Sequence, residues 1–237
     1  MRVLAIGDVH GCLDALETLA DYVGFGSDDQ LIMLGDYVDR GPDSKEVVDW
    51  VIERTLDGNC IPLLGNHEIM LLDALGGRMP LEHWLSCGGR ETLLSYTYPG
   101  RTPHPSNVPE AHRWFLQREL KRYHETELHL FAHASIDSEY PLDQQPEHTL
   151  FWERCDGMAP HYTGKTAIVG HTAQRSGRPL NMPHFVCIDT WVYGDGWLTC
   201  LDPASGQYWQ ANQRRQTRTD WLTAPGSPPT DQPWDYP

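Results

Sequence analysis

A chain of 237 residues, 40% of them hydrophobic, can bury one substantial core and argues for a single domain. Its formal charge of −15 excludes a broad nucleic-acid surface, which needs a basic face, yet leaves room for a cationic pocket around one phosphate. No segment reaches the roughly 18 uninterrupted apolar residues of a membrane helix, and six scattered cysteines without a C-x-x-C pair read as small buried hydrophobes in a reducing compartment. The expected location is the cytoplasm, with no membrane partner.

In chain order, the apolar run Val3-Leu4-Ala5-Ile6 predicts a strand ending in Gly7-Asp8. Leu13, Leu16, Leu19, Ala20 and Val23 then recur at helical spacing. Residues 31–34 predict a second strand ending in Gly35-Asp36, and Val47, Val48, Val51 and Ile52 the helix after it, with Pro42, Asp43 and Ser44 as start signals. Residues 61–64 form a third such run, ending in Gly65-Asn66, with a helix over 69–75. Each strand thus ends in glycine followed by a metal-competent side chain. In open α/β sheets the ligand lies beyond the carboxyl ends of the strands, so the three clusters are expected to converge.

From about 76 to 123 the chain reads as helix and loop broken by Pro99, Pro103 and Pro105, a place for a substrate-facing cap. Strands are expected again over 128–132, 167–169 and 185–188, and residues 197–201 and 207–210 flank Asp202-Pro203-Ala204-Ser205-Gly206, a hairpin turn. The domain is placed at 1–212, followed by a polar, proline-rich tail over 213–237.

The chemistry sits in Asp8-Val9-His10-Gly11, in Gly35-Asp36-Tyr37-Val38-Asp39-Arg40-Gly41 and in Gly65-Asn66-His67-Glu68. Two later histidines, His133 and His171, follow apolar strands directly. Asp, His and Asn form a mixed oxygen and nitrogen set that suits Mn, Fe or Zn better than Ca or Mg. Two such ions together lower the pKa of bound water and clamp a phosphoryl group. Asp36 could bridge both. Arg40 offers a planar fork for phosphate oxygens, and His67 a general acid that Asp39 would keep protonated. Glu68 falls in the first turn of a helix, where the dipole favours a carboxylate. No C-x₅-R arrangement is present, so direct attack without a phosphoenzyme is expected. The remaining histidines, His112 and His161 among them, are assigned to surface or loop positions.

G-D-x-H-G, G-D-x-V-D-R-G and G-N-H-E, in this order and spacing, resemble the signature of the phosphoprotein phosphatase family of serine/threonine phosphatases, in its compact bacterial and phage members. The resemblance implies the metallophosphoesterase fold, a four-layer α/β/β/α sandwich with two mixed sheets. It implies a first metal on Asp8, His10 and Asp36, and a second on Asp36, Asn66, His133 and His171. It makes His67 the acid, Asp39 its partner, and Arg40 and Asn66 phosphate ligands. Arg154, in Trp152-Glu153-Arg154, fits a further phosphate-binding arginine or, on its own, an ordinary solvated one. The family's Asp-Thr-Gly after the last core strand is here Asp189-Thr190-Trp191.

A phosphorylated protein or peptide is the expected substrate, partly because Trp84-Leu85-Ser86-Cys87-Gly88-Gly89-Arg90-Glu91-Thr92-Leu93 resembles the bacterial and phage pattern. The alternative on the same fold is a dinucleotide polyphosphate such as diadenosine tetraphosphate. A module that binds phosphate and metal without catalysis is the third reading, disfavoured because His67, Asp39 and the ligand set are all present. A monomer is compatible with the sequence.

Overall fold

In a computed structural model, residues 2–226 are described. The first half alternates strand and helix: β1 (Val3–Ile6), α1 (Leu13–Val23), β2 (Gln30–Met33), α2 (Ser44–Leu56), β3 (Cys60–Pro62) and α3 (Asn66–Leu75). The helical middle holds α4 (Leu81–Trp84), α5 (Arg90–Ser95) and α6 (Glu110–Arg118). Next come β4 (Tyr123–Glu125), β5 (His129–Ala132), α7 (Glu147–Phe151), β6 (Thr166–Val169), β7 (Leu180–Asn181) and β8 (Phe185–Cys187). β9 (Leu198–Leu201), β10 (Gln207–Ala211) and β11 (Thr217–Trp221) complete the described chain.

The strands form two mixed sheets, in the order β11-β10-β9-β1-β2-β3 and β4-β5-β6-β8-β7. β1, β2 and β3 are parallel, as are β5, β6 and β8, and antiparallel strands complete both sheets. Ala5, Ile32, Leu34, Leu63 and Leu201 of the first sheet meet Phe131, Ile168, Val186 and Ile188 of the second in a shared buried layer. The opposite face of the first sheet buries Leu4, Ile6 and Met33 with Leu16 and Leu19 of α1 and Val47, Val48 and Val51 of α2. The second sheet packs Leu130, Ala132 and Val169 against Leu150 and Phe151 of α7. Strands buried on both faces read as continuous apolar runs, which is why these were legible. The result is the expected metallophosphoesterase sandwich of helices, sheet, sheet and helices.

The boundary expected at 212 falls inside the first sheet, because β11 pairs along its whole length with β10. The chain reverses after β10, and the exposed edge of that strand takes up the polar segment as its partner. The proline-rich tail beyond residue 226 lies outside the described residues. Of the histidines expected at surface or loop positions, His161 lies in a loop although buried, while His112 is buried within a helix. His112 sits on the inner face of α6, 2.9 Å from both Tyr96 Oη and Asp49 Oδ1, so its polar atoms are satisfied and burial is tolerated.

All six parallel strands deliver a polar residue at their carboxyl ends: Asp8 after β1, Asp36 after β2, Asn66 after β3, His133 after β5, His171 after β6 and Asp189 after β8. The backbone had to approach itself closely for this. Gly35 has φ 101°, and a Cβ there would stand 2.7 Å from the Gly65 nitrogen. A Cβ on Gly65 would strike the Asp36 carboxylate. The glycines before Asp36 and Asn66 therefore let the ends of β2 and β3 touch.

Candidate active site

Asp36 lies at the centre. Its Oδ2 is 3.5 Å from His10 Nε2 and 3.9 Å from His67 Nε2, while its Oδ1 is 3.4 Å from His133 Nε2. Asp36, His10 and His67 bring one donor atom each within 4.8 Å of one another, and so do Asp36, His133 and His171. Asp36 belongs to both groups. Asn66 Oδ1 joins the second, 2.8 Å from His133 Nε2 and 3.0 Å from His171 Nδ1. Asp8 belongs to neither, but its two oxygens accept the His171 backbone N–H at 3.2 and 3.0 Å.

The tautomers are fixed from outside. His10 Nδ1–H donates to the Val38 carbonyl at 2.9 Å, His133 Nδ1–H to that of Leu34 at 2.8 Å, and His171 Nε2–H to that of Trp152 at 3.3 Å. The opposite nitrogen of each ring therefore carries a lone pair pointing inward. Burial drives all three imidazoles toward the neutral form, His171 down to about 4. Burial works against ionisation of Asp36, yet His133, His67, His10 and His171 outweigh it and hold the carboxyl far below its ordinary range.

Three further observations test whether cations fit here. The lone pairs of neutral His133 and His171 face the Asn66 and Asp36 oxygens, so acceptor meets acceptor, while that of His10 also faces an Arg40 N–H. Asp8, Asp36 and Asp189 are all buried within mutual electrostatic reach, with Arg40 the cationic side chain that acts on Asp8 and Asp189. Asp189 Oδ2 is buried without a hydrogen-bond partner, and burial pushes that carboxyl up to about 6. Converging acceptors and uncompensated buried carboxylates are what divalent ions satisfy. The residues fit the group.

His67 stands apart from the other rings. Its Nδ1 is 2.7 Å from Asp39 Oδ2, so Nε2 is the nitrogen that faces the cluster. Burial opposes a charged ring, but Asp36 and Asp39 prevail and raise the His67 pKa above its ordinary value. Asp39 is itself held by Trp84 Nε1–H at 2.9 Å and by the Thr92 hydroxyl at 2.6 Å. The segment 84–93, taken above as a mark of substrate class, thus has a local task. Between α4 and α5 it makes a widened turn, with Gly88 at φ 108°, whose carbonyl accepts the Arg40 backbone N–H at 3.1 Å. It clamps Asp39 and Arg40 from one side.

Glu68 clamps the same loop from the other. Its fully buried carboxylate accepts N–H bonds from Asp36 at 2.9 Å, Tyr37 at 2.7 Å, Val38 at 3.2 Å and Gly65 at 3.0 Å. Burial and the Asp36 charge push this carboxyl up to about 8, against the pull of the backbone donors aimed at its oxygens. Glu68→Gln would set an amide N–H₂ against backbone donors. It is expected to lower the unfolding free energy by about 3–5 kcal/mol, the range for breaking a buried charged contact, read by urea denaturation. The Asp36 carbonyl in turn accepts the Val9 and His10 N–H groups at 3.1 and 2.8 Å, tying the first motif to the second.

Arg40 stacks its guanidinium 4.4 Å from the centroid of Tyr193 and places Nη1 2.7 Å from His10 Nε2. Arg154 is 42% exposed and its Nε donates to Asp156 Oδ2 at 2.8 Å. The sequence assigns Tyr193 no role, and Asp189 only its place in the Asp-Thr-Trp segment. Asp189 obeys the same rule of an acidic group at a strand end; Tyr193 has no signal of its own. Among the described residues, seven other than glycine have left-handed backbones: His10, Asp36, Asp39, Arg40, His171, Trp191 and Arg215. The first five all belong to this site, where strain of about 1–3 kcal/mol each is held by the surrounding bonds.

A sandwich of this architecture, with two donor groups sharing one carboxylate, an imidazole aimed at them and an arginine alongside, defines a metal-dependent phosphoester hydrolase. Residues 1–195 match the family model of the calcineurin-like phosphoesterases, and the chain belongs to that family. Three of the chain's relatives are symmetrical bis(5'-nucleosyl)-tetraphosphatases. That of Erwinia tasmaniensis is 36% identical over 146 residues, 60% of this chain and 47% of that protein. That of Aliivibrio salmonicida is 30% identical over 148 residues, 62% and 49% of the two chains. That of Acidovorax sp. is 47% identical over 78 residues, 32% and 27%. The chain spans about half the length of the curated relatives it matches. Among solved structures, a candidate diadenosine tetraphosphatase superposes with a TM-score of 0.67 at 22% identity, over 94% of this chain and 95% of that one. The cold-active protein-tyrosine phosphatase of a psychrophilic Shewanella gives 0.66 at 20% identity, over 92% and 80%. At such identities the likeness is one of fold.

These relatives correct the expected partner. A phosphorylated protein or peptide was expected, whereas these relatives are named for a dinucleotide substrate; segment 84–93, read as a mark of a protein substrate, supports Asp39 and Arg40. Among the described residues no helix is long and apolar enough to cross a membrane.

Proposed function

We propose that the protein hydrolyses dinucleoside polyphosphates, with diadenosine tetraphosphate as the type substrate, by symmetrical cleavage to two molecules of ADP. The carrying observation is Asp36, shared by two donor groups beside an acid and an arginine; the named activity of the relatives supplies the substrate class. Asp8, His10 and Asp36 would hold one divalent ion, and Asp36, Asn66, His133 and His171 the other, with Mn, Fe and Zn suited to the mixed donor set. Bound there, two such ions supply Lewis-acid activation of water and neutralisation of phosphate charge.

The chain's own residues do the rest. Arg40, held flat on Tyr193 and by the Gly88 carbonyl, presents N–H groups to oxygens of the attacked phosphate, with Asn66 beside it and Arg154 as a further phosphate ligand. His67 gives a proton from Nε2 to the bridging oxygen as it leaves with ADP. Asp39 receives the Nδ1–H, fixes the ring plane and favours the charged form before transfer. Asp36 faces His67 across the site and sustains that charge.

Incubating the Mn²⁺-loaded protein with diadenosine tetraphosphate and separating the products by ion exchange tests this. ADP is expected as the sole nucleotide product. Formation of AMP with ATP, or an intact dinucleotide under conditions where an aryl phosphate is consumed, would overturn it.

A further inference from the structure

Trp191 stands where the family pattern has glycine, and it keeps a glycine's backbone, with φ 64°. A bulky residue in the left-handed region is a true outlier. It shares this strain with His10, Asp36, Asp39, Arg40 and His171, the residues of the site itself. The indole lies against Gly194, whose missing Cβ makes the space. The Trp191 and Tyr193 rings meet edge to face at 6.2 Å. Tyr193 carries Arg40 on its face and stands edge-on to His10 at 4.9 Å. Trp191 is thus two ring contacts from a metal-ligand histidine. The exposed Arg175 lies over the Trp191 ring, with the guanidinium carbon 5.3 Å from the ring centroid.

From His10 outward the surface therefore alternates ring and cation: Arg40 on Tyr193, then Arg175 on Trp191. A half-buried indole beside an exposed guanidinium offers a stacking face to a flat aromatic ligand, and the two arginines flank an anion leading to it. Retaining a strained tryptophan here is explained by a gain in binding.

We propose that Trp191 and Arg175 form a nucleobase subsite that stacks one purine of the substrate while Arg175 also faces its proximal phosphates. The subsite rests on the dinucleotide reading and deepens it. Base-on-aromatic stacking is commonly worth ~1–3 kcal/mol by truncation, about 5- to 150-fold in affinity.

The test compares two ligands sharing one phosphonate group, methylenediphosphonate and α,β-methylene-ADP, by calorimetric titration into the Mn²⁺-loaded protein, so that no turnover is needed. Trp191→Gly restores the residue that the backbone conformation prefers and is not expected to impair folding. It is expected to weaken α,β-methylene-ADP binding about tenfold while methylenediphosphonate changes less than twofold. Trp191→Phe should recover most of the loss, and Arg175→Ala should lower affinity for the nucleotide more than for the phosphonate. An equal loss for both ligands would make Trp191 a positioning residue for Tyr193 and Arg40 and overturn the subsite; so would no change in either. A protein that binds the nucleotide through Trp191 yet leaves diadenosine tetraphosphate intact would sink the proposed reaction while leaving the subsite standing.

Discussion

His67→Asn is expected to slow turnover of diadenosine tetraphosphate by about 10²- to 10⁴-fold, toward the lower end, with metal content per chain unchanged. The ring delivers a proton to an oxygen departing on a phosphate, a weaker base than an alkoxide, so less of the barrier lies in protonation. Asp39 occupies Nδ1 at 2.7 Å, which leaves only Nε2 for the site. His67 also falls within 4.8 Å of the donor atoms of His10 and Asp36, so a ligand role is the rival. Elemental analysis separates them: loss of one metal equivalent in the variant would make His67 a ligand and refute the acid. The acid role also fixes the sign of the pH dependence. Asp36 and Asp39 raise the His67 pKa against burial, so the protonated ring persists above its ordinary value and kcat should fall as pH climbs through the raised one.

Asp36→Asn should have a larger and different effect: both metals lost or weakened, and activity with them. The carboxylate is the one group common to the two donor sets. Its charge also stabilises His67, and its Oδ1 accepts the His67 backbone N–H at 3.0 Å. An amide keeps the volume but supplies neither the charge nor a second anionic oxygen. Measured by elemental analysis after dialysis, fewer than half the wild-type equivalents are expected. Full metal occupancy with full activity would remove the bridging role.

Much of this site was legible because each motif is local. A buried parallel strand is an apolar run with a polar residue after it; Asp8, Asp36, Asn66 and His171 follow a glycine there, and His133 follows Ala132 directly. What supports them was not legible. Trp84 and Thr92 reach Asp39 across 45 and 53 residues of chain, and Tyr193 reaches Arg40 across more; no periodicity encodes such meetings. β4 and β11 were missed for another reason. They are edge strands of half-exposed polar residues without alternation, and the neighbouring strand rather than their composition sets their conformation. The substrate could not be read from the motifs, since those residues handle the phosphate and say nothing of the groups attached to it. The departure at Trp191, by contrast, was visible in the sequence and acquired a meaning only beside Arg175.

The bonds from Glu68 to four main-chain amides, and from the Asp36 carbonyl to two more, knit the loops together through the protein alone. The pocket's shape would consequently be set by folding itself, and ion binding would be a docking event into a finished socket. Affinity would then reflect the match of donor atoms to ion rather than the ordering of chain.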